Sequence, residues 1–167
     1  MTVVAVDPGT CKGSLVIYCE QSKTVDCIAS DVDNERLLDM VIDCIDSIDD
    51  APNRRTAVVC EDIESMGMPV GAEVFQTVRW TGRLQERVEK AGMEVQFVKR
   101  SKVKMHLCGS ARAKDGNIRQ ALIDGIGRVG TKKDPGPLYG MKGHAFSALA
   151  VAVTWAETEL DKYVAVR

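Results

Sequence analysis

"VVAVDPGTCKGSLVIY" occupies residues 3–18. An apolar run stops at Asp7, a Pro-Gly turn follows, and the chain passes Thr10, Cys11, Lys12 and Gly13 into a second apolar run. A charge at the end of a buried strand costs free energy unless something compensates it. What compensates Asp7 is the question on which the fold and the chemistry both turn.

A second stretch has the same form. "RTAVVCED" (55–62) reads as a strand that again ends in acid. Runs 2–7 and 56–61 are nearly all apolar. Interior strands of α/β sheets look like this, because both of their faces are covered, and sites form at their carboxyl ends. If the two strands are neighbours, Asp7 and Glu61 come close together. Two close carboxylates repel, and one takes up a proton unless a cation sits between them. Oxygen ligands of this hardness suit Mg²⁺ or Mn²⁺. The competing reading is that Asp7 caps the Pro-Gly turn and Glu61 is solvated.

The remaining pattern places these strands in an architecture. Segments 2–7, 13–19 and 24–29 read as three strands of an antiparallel meander. "NERLLDMVIDCIDSI" (34–48) carries apolar residues at 37, 38, 41, 42, 45 and 48, which is helical spacing, with Asp33 or Asn34 as the cap. Residues 72–91 form an amphipathic helix, 93–98 a short strand, and 100–107 and 113–126 helices broken near Gly109. Residues 127–141 are a Gly/Pro-rich loop, longer than a mere connection requires, which points to function or mobility. A last helix, 142–160, is dense in Ala, Val and Leu. Three antiparallel strands followed by strand–helix units predict an α/β fold: a mixed five-stranded sheet with helices on both faces.

The bulk numbers narrow the class. The chain has 167 residues and is 45% apolar, which predicts one domain over 1–167 with a real core. No apolar run is long enough to span a bilayer, and no basic stretch precedes an apolar one at the N-terminus. The expectation is a cytoplasmic protein with no membrane partner. Six cysteines form no CxxC pair and only two histidines are present, so a zinc site is poorly supported and buried reduced thiols are expected. The net charge of −2 hides a polarity. Residues 20–64 hold 13 Asp or Glu against 4 Lys or Arg, and residues 79–119 hold 11 Lys or Arg against 4 Asp or Glu. Such asymmetry fits a nucleic-acid face on one part of the surface, and equally a solvated helix with scattered charge.

A third polar candidate opens the last helix. In "KGHAFSALAVAV", His144, Ser147, Ala148 and Val151 share one helical face. A histidine there can ligate a metal, activate water, or simply bond to backbone.

Four stretches together resemble the RuvC-type Holliday junction resolvases of the RNase H-like superfamily. They are "VDPGT", "VVCEDIES", "VKMHLCGSARAKDGNIRQALI" (103–123) and "HAFSALAVAV", in that order. The long loop and the wording of several segments are more similar to resolvase-like proteins of bacteriophages. The resemblance implies an RNase H-like fold and four active-site positions that hold two divalent ions, Mg²⁺ or Mn²⁺. Asp7, Glu61 and His144 match three of these positions, as metal ligands, with His144 also able to take a proton from water. Ser147 matches the fourth, normally an aspartate, and so departs from the pattern; Asp62 and Asp115 are the candidate replacement carboxylates. The implied reaction is paired phosphodiester hydrolysis of four-way junctions and other branched DNA by a homodimer, leaving a 5′-phosphate and a 3′-hydroxyl. Lys99, Arg100, Lys102, Lys104, Arg112, Lys114 and Arg119 lie around the matched DNA-contacting segment. Met66, Met68 and Phe75 lie in the region that approaches the junction's crossover, where Phe75 is equally suited to the core or to the dimer contact. Two alternatives stay open: a branched-DNA-binding module weakened in catalysis by Ser147, and an RNase H-like nuclease with broader flap or fork specificity.

Overall fold

The first apolar run becomes strand β1 (Thr2–Asp7), buried along its whole length. A computed structural model describes residues 1–49, 56–64 and 69–166. β1 pairs antiparallel with β2 (Lys12–Cys19), which pairs antiparallel with β3 (Thr24–Asp33). On its other edge β1 pairs in parallel with β4 (Thr56–Asp62), and β4 in parallel with β5 (Val95–Lys99). The sheet order is β3-β2-β1-β4-β5. The mixed five-stranded sheet expected from the sequence is present, and the two acid-ended strands are indeed neighbours.

Alternation along the strands sends successive side chains to opposite faces. Val4, Val6, Val58 and Cys60 pack against α1 (Asn34–Asp49) and α2 (Ala72–Lys90). Val3, Ala5, Ala57 and Val59 pack on the other face, with α3 (Arg100–Cys108), α4 (Asp115–Ile126) and α5 (His144–Val166). Helix α5 is buried almost all round from Ala145 to Ala156, because the sheet covers one side and α3 and α4 the other. Its alanines at 145, 148, 150 and 152 are fully buried and let it approach β1 and β2 closely.

On α1, Leu37, Leu38, Val41 and Ile45 are buried, as the spacing predicts. Asp33 accepts a hydrogen bond from the Glu35 N–H at 3.0 Å, whereas the Asn34 side chain turns to the β1–β2 turn. Several boundaries differ, and α4 starts at Asp115 rather than at 113. β3 runs on to Asp33, β5 starts at Val95, and α5 starts at His144 and continues to Val166.

The 127–141 loop is ordered. Gly130 and Pro135 form a β-bridge, and Arg128 and Asp134 pair at 2.6 Å across it. Leu138 is fully buried beside α5. A Cβ on Gly136 would lie 1.9 Å from the Arg128 carbonyl oxygen, so only glycine permits this closure. The expectation of buried thiols holds for Cys60; Cys19, Cys44 and Cys108 are partly exposed and Cys11 is exposed. Among the described residues no helix is long and apolar enough to cross a membrane.

Candidate active site

Asp7 follows Val3 and Ala5 in the alternation, and Glu61 follows Ala57 and Val59. Both carboxylates therefore leave the sheet on the α5 side, at the carboxyl ends of adjacent parallel strands. The β1–β2 turn then clears the chain from the site. A Cβ on Gly9 would lie 2.1 Å from the Lys12 carbonyl oxygen, so this turn requires glycine. Asn34 holds the turn from behind, donating its side-chain amide to the carbonyls of Gly9 at 3.1 Å and Thr10 at 3.2 Å.

Asp7 is 7% exposed and Glu61 is 8% exposed. Each has one charged or titratable partner. His144, the first residue of α5, shares a hydrogen bond between its Nδ1 and Asp7 Oδ2 at 2.9 Å. Arg100, the first residue of α3, donates from NH1 to Glu61 Oε2 at 2.8 Å and from NH2 to Asp115 Oδ1 at 2.5 Å. The β4–β5 register explains the second pairing. Glu61 lies opposite Val98 and Asp62 opposite Lys99, so the residue after β5 emerges beside Glu61.

Burial outweighs these partners. It pushes the Glu61 carboxyl up to about 7 against the pull of Arg100, with Asp7 adding to the rise. Burial likewise raises Asp7 above the ordinary aspartate range, although the hydrogen bond and charge of His144 oppose it. Burial, more than any lack of partners, is what disfavours their charged forms.

They open into a cleft of about 450 Å³ between the β1–β2 turn and the first turns of α3, α4 and α5. Asp7, Glu61, His144 and Ser147 all line it, together with Arg100, Asp115 and Arg119. Ser147 sits one turn along α5 from His144 and is partly buried. Of the two replacement carboxylates considered from sequence, Asp115 lines the cleft. Asp62 shares its alternation with Val58 and Cys60, which point to the α1–α2 face. A larger hollow of about 650 Å³ lies at the opposite end of β1, lined by Met1, Cys19 and Leu160 among others, and holds none of these groups.

The donor chemistry of Asp7, Glu61 and His144 fits a hard divalent ion, which would favour the charged forms that burial disfavours. Among the described residues no group of three His, Cys, Asp or Glu side chains is placed to hold a metal, whether one ion or two. A two-ion centre fits less well still. Glu61 is already paired with a guanidinium, and Ser147 offers a neutral hydroxyl.

No family model and no curated protein matches the chain. Solved structures do. The Thermus thermophilus RuvC structure superposes with a TM-score of 0.67 over 93% of this chain and 93% of that one. The fold is that of RuvC. Sequence identity in that match is 20%. A structure of T. thermophilus RuvC in complex with Holliday junction substrate matches over the same shares, with a TM-score of 0.66 and 21% identity.

On this RuvC fold the seven cations expected at DNA divide by environment. Arg100 and Arg119 face the cleft, Arg119 with its guanidinium 4.9 Å from the Phe146 ring centroid. Lys99 pairs with Glu64 at 3.0 Å, and Lys102 pairs with Glu159, tying α3 to α5. Lys104, Arg112 and Lys114 make no ion pair among the described residues. Phe75 is 55% exposed on α2, which rules out a core role. Met66 and Met68 lie outside the described residues.

Arg100 is the cleft residue whose role the sequence concealed. Its signal lies in the parallel β4–β5 register, which places the start of α3 beside Glu61.

Proposed function

We propose that the chain is a divalent-metal-dependent endonuclease that cuts four-way junctions and other branched DNA, acting as a cytoplasmic homodimer. One observation carries the reading. Two buried carboxylates end adjacent parallel strands, and an imidazole closes on them from α5, in a chain whose fold matches RuvC along 93% of its length.

Asp7 and Glu61 would hold the ion, and His144 would act on the water beside it rather than on the ion. A bound divalent ion would supply Lewis acidity at the scissile phosphate and lower the pKa of water. The chain's own groups do the rest. Asp7 fixes the imidazole through Nδ1, so Nε2 is the atom turned to the reacting water. His144 is 64% exposed at its side chain and can accept the water proton at that nitrogen. Attack at phosphorus breaks the bond to the 3′-oxygen, leaving a 5′-phosphate and a 3′-hydroxyl. Arg119 offers a charge to the phosphate within the cleft, and Lys104, Arg112 and Lys114 offer charges to the backbone beyond it. Phe75 and Val78, 55% and 46% exposed, form an outward apolar strip on α2 that suits a second copy. A twofold dimer matches a junction with two symmetric scissile strands.

The test compares a four-way junction, a flap and a linear duplex with Mg²⁺ or Mn²⁺. Paired symmetric nicks confined to the junction support the proposal. Equal cutting of all three would instead indicate a broader RNase H-like nuclease. Tight junction binding without cuts in either metal would indicate the binding module that Ser147 favours.

A further inference from the structure

We infer that the Arg100 guanidinium occupies the place of a second cation in the cleft, so that the folded site takes one divalent ion rather than two. The inference rests on the metal-dependent reading above and concerns how many ions that site accepts.

The guanidinium bridges two carboxylates, Glu61 at 2.8 Å and Asp115 at 2.5 Å. Its side chain is only 26% exposed, so it sits inside the cleft rather than swinging above it. The residue opens α3 directly after β5, and that junction fixes its backbone next to Glu61. An arginine is always charged, and its planar fork suits two acceptors at once. It therefore acts as a permanent cation at the point where Glu61 would otherwise need a metal.

Charge balance points the same way. Asp7, Glu61 and Asp115 bring three negative charges when ionised, and Arg100 and Arg119 bring two positive charges. One divalent ion already turns that net charge of −1 into +1. A second would leave three positive charges in a cleft where Ser147 contributes none of the opposite sign. Admitting that ion also means breaking the Arg100–Glu61 pair and leaving a largely enclosed guanidinium with only the exposed Asp115 as its partner, which is unfavourable.

Titration of the intact protein with Mn²⁺ at pH 8, with the free ion followed by electron paramagnetic resonance, reads the stoichiometry directly. One Mn²⁺ per chain is expected in the wild type and two in Arg100→Gln. Two in the wild type, or one in an Arg100→Gln protein with unchanged circular dichroism, overturns the inference. The wild type alone also decides it if that variant does not fold. The logarithm of its unfolding constant should fall with the logarithm of saturating free Mn²⁺ with a slope of about one, and a slope of about two overturns the inference. Two ions together with junction cutting would leave the proposed function standing and remove only the role of Arg100. No bound Mn²⁺ at all would overturn both.

Discussion

The burial of Glu61 should make the metal-free protein less stable as pH rises. Its carboxyl lies at about 7 in the fold, held up by burial, against 4.5 for an exposed glutamate. Between these values the folded state keeps a proton that the unfolded state has lost. Raising the pH through this window therefore favours unfolding. Stability is fully present below about pH 4.5 and is lost as pH passes about 7. At about 1.4 kcal/mol for each pH unit, the loss is about 3 kcal/mol. For a chain of this size that lowers the unfolding temperature by about 6–12 °C. Asp7, raised by the same cause, adds in the same direction. Urea unfolding in the presence of a chelator, at pH 5 and pH 8, measures the difference. Glu61→Gln cannot titrate and keeps an acceptor for Arg100, so it should lose most of the decline. Mn²⁺ added at pH 8 should restore stability to the wild type and do so less in the variant. A wild type equally stable at both pH values, or a variant that declines as steeply, would mean that Glu61 does not carry a proton into the fold.

Ser147→Asp places a carboxylate one helical turn from His144 and strengthens the hold on an ion at Asp7. Mg²⁺-supported junction cutting should rise by about tenfold, equivalent to about 1.4 kcal/mol of barrier, and single-turnover rates check it. Replacing Lys104, Arg112 and Lys114 together by Ala should weaken junction binding. The log–log salt dependence should become shallower by about 2–3, read by fluorescence anisotropy across a salt series. Phe75→Asp should convert a dimer to a monomer in sedimentation velocity while leaving the circular dichroism spectrum unchanged.

Much of the fold was legible because buried strands declare themselves. Runs 2–7 and 56–61 are apolar without alternation, as strands covered on both faces must be. Their terminal acids share parity with residues 3, 5, 57 and 59, so a common face follows once the strands are adjacent. The last helix was legible for a related reason, being apolar all round. Arg100 was not legible. In sequence it is one cation among Lys99, Arg100 and Lys102, and only the β4–β5 register sends it to Glu61 while Lys99 goes to Glu64 and Lys102 to Glu159. Those pairings join residues far apart in the chain, where local pattern carries no signal. The 127–141 loop announced itself through Gly and Pro. Its ordered turn depends on the Arg128–Asp134 pair and on the approach of Gly136 to Arg128, neither of which composition reveals. Cys19 and Cys44 have apolar neighbours in sequence and yet remain partly exposed.

If Asp7 ends its strand in order to serve a hydrolytic site, Asp7→Asn should abolish cutting and spare binding. The side chain keeps its size and can still hydrogen bond to His144, but it loses its charge. Wild-type protein with Mn²⁺ should introduce paired nicks in a four-way junction. The variant should bind that junction with unchanged affinity and cut it at least about a hundredfold more slowly, a loss of about 3 kcal/mol in transition-state stabilisation. A variant that cuts as fast as the wild type would contradict the account.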